Sequence, residues 1–180
     1  MNDTGFDPGP LADVSARAAA ADRWTLVFTR TLHHPPEAVW AAITDPDQLG
    51  QWAPFTADRS LAVTGDVVLT MVDGMEVDVS DARVTRADPP SLLEYTWGTQ
   101  PLRWELEAVD GGTKLTLSHT VDASDWVPKV AAGWHLCLVV AERLLDGKPI
   151  PPIRGEDAKN YGWQELNDAY AATLGIPSTG

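Results

Sequence analysis

Asp125 to Gly147 reads DWVPKVAAGWHLCLVVAERLLDG, and the way this stretch folds decides the rest of the chain. Val127, Val130, Trp134, Leu138, Ala141 and Leu145 recur at helical spacing and form one stripe. Leu136, Val139, Val140 and Leu144 carry apolar character round to the other sides. A helix that is apolar on nearly all sides cannot lie on a surface with one face in water. It has to be gripped, with a sheet on one side and a second apolar layer or an internal cavity on the other. Ser124 or Asp125 is the expected N-cap, and Gly147 the expected stop. Gly133 weakens such a helix by about 1 kcal/mol relative to alanine, which predicts a close approach there by a strand or another helix.

Upstream of the helix the chain has the pattern of a sheet. Trp24–Leu32 (WTLVFTRTL) is β-branched and aromatic and reads as a first strand. Pro35 and Pro36 end it, and Pro36 can open a helix running to about Ile43. Asp45 can cap, and Pro46 begin, a second short helix through Leu49 and Trp52. Strands are then expected at Asp58–Val63, Val67–Val72, Glu76–Thr85, Ser91–Trp97, Leu102–Val109 and Thr113–Val121, separated by Gly-, Asp- and Pro-containing turns of an antiparallel meander. Leu102, Trp104, Leu106 and Ala108 alternate with Arg103, Glu105 and Glu107. Leu115, Leu117, His119 and Val121 alternate with Lys114, Thr116, Ser118 and Thr120. One sheet face is therefore apolar and the other wet. Glu76–Thr85 alternates ambiguously, so its register stays open.

The order strand, two short helices, about six strands and one long helix predicts an α+β helix-grip fold. A curved antiparallel sheet wraps the long helix, and the short helices close one end. Residues 1–22 are expected as a flexible tail, 23–147 as the helix-grip domain, and 148–180 as a Pro-rich connector followed by an amphipathic helix over Tyr161–Leu174. That last helix packs on the domain or in a homodimer contact through Trp163, Leu166, Tyr170 and Leu174.

Particular residues carry a family resemblance. They are His34-Pro35-Pro36-Glu37-Ala38-Val39-Trp40, Thr44-Asp45-Pro46-Asp47-Gln48-Leu49 with Trp52, Val84 with Asp88-Pro89-Pro90 leading into Leu93-Glu94-Tyr95-Thr96-Trp97, Thr116-Leu117-Ser118-His119, and Gly133-Trp134. With these the chain resembles the START-related, polyketide-cyclase-like (SRPBCC) superfamily. Within it, the chain is most similar to the branch named for a homologue of the heat-shock chaperone ATPase activator. The resemblance spans roughly Trp24 to Gly147 and implies the helix-grip scaffold. That scaffold hosts diverse functions, so function has to be read from the site.

The chain carries 26 Asp and Glu against 13 Lys and Arg, a formal net charge of −13. That argues against nucleic acid and against anionic membranes as partners. The longest apolar run, within Val130–Ala141, is too short to span a bilayer, and no secretion signal is visible; the expected localisation is cytoplasmic. The single Cys137 cannot form an intramolecular disulfide and reads as a small buried hydrophobe. His33, His34, His119 and His135 have no metal-ligand spacing, and no phosphate-cradling or nucleophile motif occurs; no metal and no cofactor are expected.

Eight tryptophans in 180 residues is a high count, and several fall on apolar faces where they either line a pocket or fill the core. The candidate ligand-binding set is Trp40, Trp52, Met71, Tyr95, Trp97, Trp104, His119, Trp134, His135 and Leu138. The first expectation is a binding protein for a small, largely hydrophobic molecule. The alternatives are a cyclase- or aromatase-like enzyme using the same pocket, and an accessory protein of a chaperone ATPase, the last suggested by the resemblance alone. No catalytic residue is assigned. His119, on the inward face of its strand, is the candidate for acid–base chemistry, set against a plain hydrogen-bonded histidine in a pocket wall.

Overall fold

The computed structural model describes residues 6–73 and 76–177. The first five residues of the expected tail lie outside the described residues, as do the last three of the chain. Eight strands form one antiparallel sheet: β1 (Asp13–Ala18), β2 (Trp24–Leu32), β3 (Phe55–Ala57), β4 (Gly65–Asp73), β5 (Glu76–Asp88), β6 (Leu92–Trp97), β7 (Gln100–Val109) and β8 (Gly112–Val121). Their spatial order is β1-β2-β8-β7-β6-β5-β4-β3. Helices α1 (Pro36–Thr44) and α2 (Pro46–Leu49) follow β2, and the long helix α3 (Trp126–Leu145) follows β8. The chain ends with α4 (Trp163–Leu174). The α+β helix-grip fold expected from the element order is the fold observed.

The sheet is strongly curved. Phe55 on β3 and Trp97 on β6 are separated by two intervening strands, yet their ring centroids lie 4.8 Å apart. A flat sheet would hold these strands about 14 Å apart. The curl encloses most of the apolar face read from the alternation: Leu102, Trp104, Leu106, Leu115, Leu117, His119 and Val121 are all buried, while Ala108, near the end of β7, is exposed. Arg103 sits on the outer face, paired with Glu94 and Glu105. At the β2–β8 junction the backbones approach so closely that a Cβ on Gly112 would lie 1.9 Å from the Leu32 carbonyl oxygen.

Helix α3 spans about 30 Å at 1.5 Å per residue. Its N-terminus is closed by backbone, not by a side-chain cap: the Trp126 and Val127 amides donate to the Ala123 and Ser124 carbonyls. Its C-terminus is a Schellman turn around Gly147, which adopts φ 77°. The Gly147 amide donates to Leu144 and the Lys148 amide to Arg143. Helix α2 is capped as expected, with the Asp45 carboxylate accepting from the Asp47 amide.

Four details correct or add to the sequence reading. Asp58–Val63 is a loop, because Arg59 draws the Ser60, Val63 and Asp66 carbonyls onto one guanidinium. The strand there is instead the short β3. The ambiguous β5 contains a bulge between Val84 and Arg86, which resets its alternation. His33 and His34 lie in the bend that follows β2 and face Glu142 and Asp146 near the end of α3. Within the stretch expected as a loose tail, β1 pairs in register with β2, and the Phe6 ring packs edge-on against Tyr161 at 5.3 Å.

Helix α4 packs on α3 and β1. On its apolar face Leu166 and Tyr170 are buried, and Trp163 and Leu174 are half-buried. A relay of hydrogen bonds ties the two ends of the chain to α3. The Ala12 amide donates to the Tyr170 hydroxyl at 2.9 Å, and that hydroxyl lies 2.6 Å from His135 Nδ1. His135 Nε2 lies 2.6 Å from the Pro8 carbonyl oxygen. A carbonyl can only accept, so the His135 proton sits on Nε2, and Nδ1 accepts from Tyr170.

Candidate functional site

Between the sheet and α3, most of the space is filled by rings packed edge to face. Trp104 stands 5.4 Å from Trp134 at an interplanar angle of 89°, and Trp52 stands 6.0 Å from Trp104 at 86°. Phe55 closes the cluster against Tyr95 and Trp134. Each buried indole N–H of this cluster has an acceptor. Trp52 donates to the Ala42 carbonyl at 2.8 Å, Trp104 to the Tyr95 hydroxyl at 3.1 Å and Trp134 to His119 Nδ1 at 3.0 Å. Burial pushes the Tyr95 phenol well above its ordinary range, so that hydroxyl stays protonated.

The open space lies at one end of this stack, as a cleft of about 420 Å³. Three walls bound it. The sheet supplies Trp97 from the end of β6 and His119 from β8. Helix α3 supplies Trp126, Lys129, Val130, Gly133, Trp134 and Cys137, which share one face at helical spacing. The connector and the start of α4 supply Ile153, Arg154 and Trp163. Trp126, half exposed, stands at the mouth with the Lys129 ammonium 4.8 Å from its ring centre.

Gly133 has a role the sequence reading did not foresee. No strand or helix approaches it: a Cβ built there meets no atom within 4 Å. The missing side chain leaves open floor in the cleft, where alanine would strengthen the helix. The glycine leaves open space here, and no close backbone contact accounts for it.

His119 is the polar group of the inner wall. Its Nε2 lies 2.6 Å from Gln100 Oε1, and its Nδ1 accepts from Trp134. An indole nitrogen can only donate, so the imidazole is neutral, with its proton on Nε2 directed at the glutamine oxygen. Burial, helped by the nearby Arg23 guanidinium, lowers its pKa to about 3. Both ring nitrogens are engaged, which leaves no lone pair for a substrate proton. Cys137 is equally quiet: burial raises its thiol to about 12.

Residues 33–145 match the sequence profile of the family described as Activator of Hsp90 ATPase homolog 1-like protein, more than half of the 180 residues. The chain belongs to this family. The AHSA1-like assignment agrees with the resemblance drawn from the His34–Trp40, Thr44–Leu49 and Gly133-Trp134 segments. No curated protein matches the chain significantly in sequence. Solved structures do match in fold. CalU16 from Micromonospora echinospora is 20% identical with a TM-score of 0.64, over 89% of this chain and 95% of that one. The conserved protein of unknown function EF2215 from Enterococcus faecalis is 16% identical with a TM-score of 0.67, over 89% and 90%. An AHSA1-like protein from Aeromonas hydrophila is 21% identical with a TM-score of 0.56, over 67% and 92%. At these identities the likeness is one of fold. Among the described residues, no helix of this AHSA1-like chain is long and apolar enough to cross a membrane.

Of the ten candidate ligand-binding residues, the cleft brings together Trp97, His119 and Trp134. Trp52, Tyr95 and Trp104 stand behind them in the filled core, and Leu138 is likewise buried away from the opening. Trp40 is buried on α1. Met71 is half-buried on β4, opposite Phe55 in register. His135 faces away from the cleft, into the Pro8–Tyr170 relay. The reading missed Trp126, Lys129 and Gly133, although their spacing to Trp134 on one helical face was available. It also missed Arg154 and Trp163, whose place in the wall no sequence periodicity announces.

Proposed function

We propose that the protein binds a small, largely hydrophobic molecule in the cleft between β6, β8, α3 and the connector. The observation that carries this reading is Gly133. A helix otherwise rich in large apolar residues gives up a side chain, and about 1 kcal/mol of helix stability, at a position that lines the cleft together with Trp97 and Trp134. Apolar burial against the two indoles supplies affinity, and the engaged His119 keeps the inner wall polar at a single point. The closure of both His119 nitrogens favours binding over the cyclase-like alternative, since general acid–base work needs a nitrogen free to exchange a proton with substrate.

The test is titration with the neutral apolar fluorophore N-phenyl-1-naphthylamine. Saturable probe emission with quenching of tryptophan fluorescence is expected in the wild type, and its loss in Gly133→Leu. Equal binding by both proteins places the probe elsewhere and overturns the reading.

A further inference from the structure

The charge of the cleft is opposite to that of the chain. Acidic residues outnumber basic ones 26 to 13 overall, yet the described lining holds Lys129 and Arg154 and no aspartate or glutamate. Lys129 is turned to the Trp126 ring at the mouth. Arg154 is the deeper cation. It is half-buried, and its Nε and Nη2 donate to the backbone carbonyls of Ala53 at 2.9 Å and Gly50 at 2.7 Å. Those bonds fix the plane of the guanidinium. Among the described residues its Nη1 has no acceptor, and no carboxylate pairs with it. A half-buried guanidinium without a counter-ion can pair with an anion in the cleft, and the lower dielectric of an apolar wall strengthens such a pairing. Burial, the first cause, lowers the pKa of Arg154, and only the Cys137 sulfur acts against it. The guanidinium nevertheless remains charged at neutral pH.

We propose that the ligand is an organic anion, an apolar body bearing a carboxylate-like head, and that Arg154 receives the head while Trp97, Trp134 and the open floor at Gly133 receive the body. This rests on the reading of the cleft as a ligand site. Arginine suits the task because its fork can donate from Nη1 while Nε and Nη2 hold the backbone carbonyls that keep it in place.

Two probes of similar shape separate the ideas: anionic 1-anilinonaphthalene-8-sulfonate and neutral N-phenyl-1-naphthylamine. The wild type is expected to bind the sulfonate about tenfold more tightly, a preference that shrinks with added salt. Arg154→Met should weaken sulfonate binding by about tenfold and leave the neutral probe within twofold. Arg154→Lys should retain part of the preference. Melting each variant checks that it is folded. If Arg154→Met does not fold, the comparison rests on Arg154→Lys and on the salt dependence of the wild type. Equal affinities for both probes in the wild type overturn the anion proposal and leave the cleft reading standing. So does a lowered Tm in Arg154→Met with both probes changed alike, the result expected if Arg154 only clamps the connector. Failure of the wild type to bind either probe overturns both.

Discussion

Trp134 on α3 and His119 on β8 are joined across the interior by a 3.0 Å hydrogen bond from the indole Nε1 to the imidazole Nδ1. The bond fixes the tautomer of the histidine, sets the tilt of the tryptophan that walls the cleft, and ties helix to sheet. Its strength depends on His119 being neutral, because protonation would place a second N–H against the indole donor.

That dependence gives a pH prediction with a definite sign. His119 titrates near 6.5 in the unfolded chain and near 3 in the fold. As pH falls below about 6.5, the unfolded state takes the proton first. The stabilisation is complete above that pH and is lost progressively toward pH 3, by at most about 1.4 kcal/mol per pH unit for this one group. His135 is shifted in the same direction by burial and adds to the effect. Urea midpoints should therefore fall between pH 7.5 and 4.5, and the His119 ring resonances should show no titration over that range. An inflection of those resonances near pH 6.5 would contradict the assigned tautomer.

Gly133→Ala should raise stability. The added methyl meets no neighbour within 4 Å and removes a helix penalty of about 1 kcal/mol. For a chain of this length the Tm should rise by roughly 2–4 °C. The same methyl occupies cleft floor, so affinity for bulky apolar probes should fall while Tm climbs. A drop in Tm would mean that the floor is not open.

Gly112→Ala should act in the opposite sense. A Cβ 1.9 Å from the Leu32 carbonyl oxygen forces the β2–β8 junction apart, against backbone that cannot yield cheaply. A loss of at least about 2 kcal/mol is expected by chemical denaturation, with little change in probe affinity per folded molecule.

Tyr170→Phe should loosen the chain ends. It removes the donor to His135 Nδ1 and the acceptor of the Ala12 amide in one step. A cost of about 1–3 kcal/mol is expected, together with faster amide exchange across β1. Unchanged exchange in β1 would show that its pairing with β2 holds the N-terminal segment without the relay.

The elements of this protein are local and were legible in the sequence. Alternation in Leu102–Val109 and Thr113–Val121 specified the buried face because a strand repeats every two residues. The all-round apolar centre of α3 required a clasping sheet because water had to be excluded from every side of it. Gly147, Pro36 and Asp45 marked helix ends through backbone geometry that each residue type favours by itself.

The site was decided in three dimensions. Trp97, Trp104, Tyr95 and Trp134 are equivalent in sequence, all large rings on apolar faces. Only the curl of the sheet assigns two of them to the filled stack and two to the cleft wall. Arg154 lies in a connector without periodicity. It reaches the cleft because it bonds the Ala53 and Gly50 carbonyls, about a hundred residues away along the chain. Sequence by itself determined which face of each element turns inward, since local periodicity and the exclusion of water suffice for that. Where the interior is filled and where it stays open was left to the tertiary structure, because a void is a property of how side chains from distant segments meet.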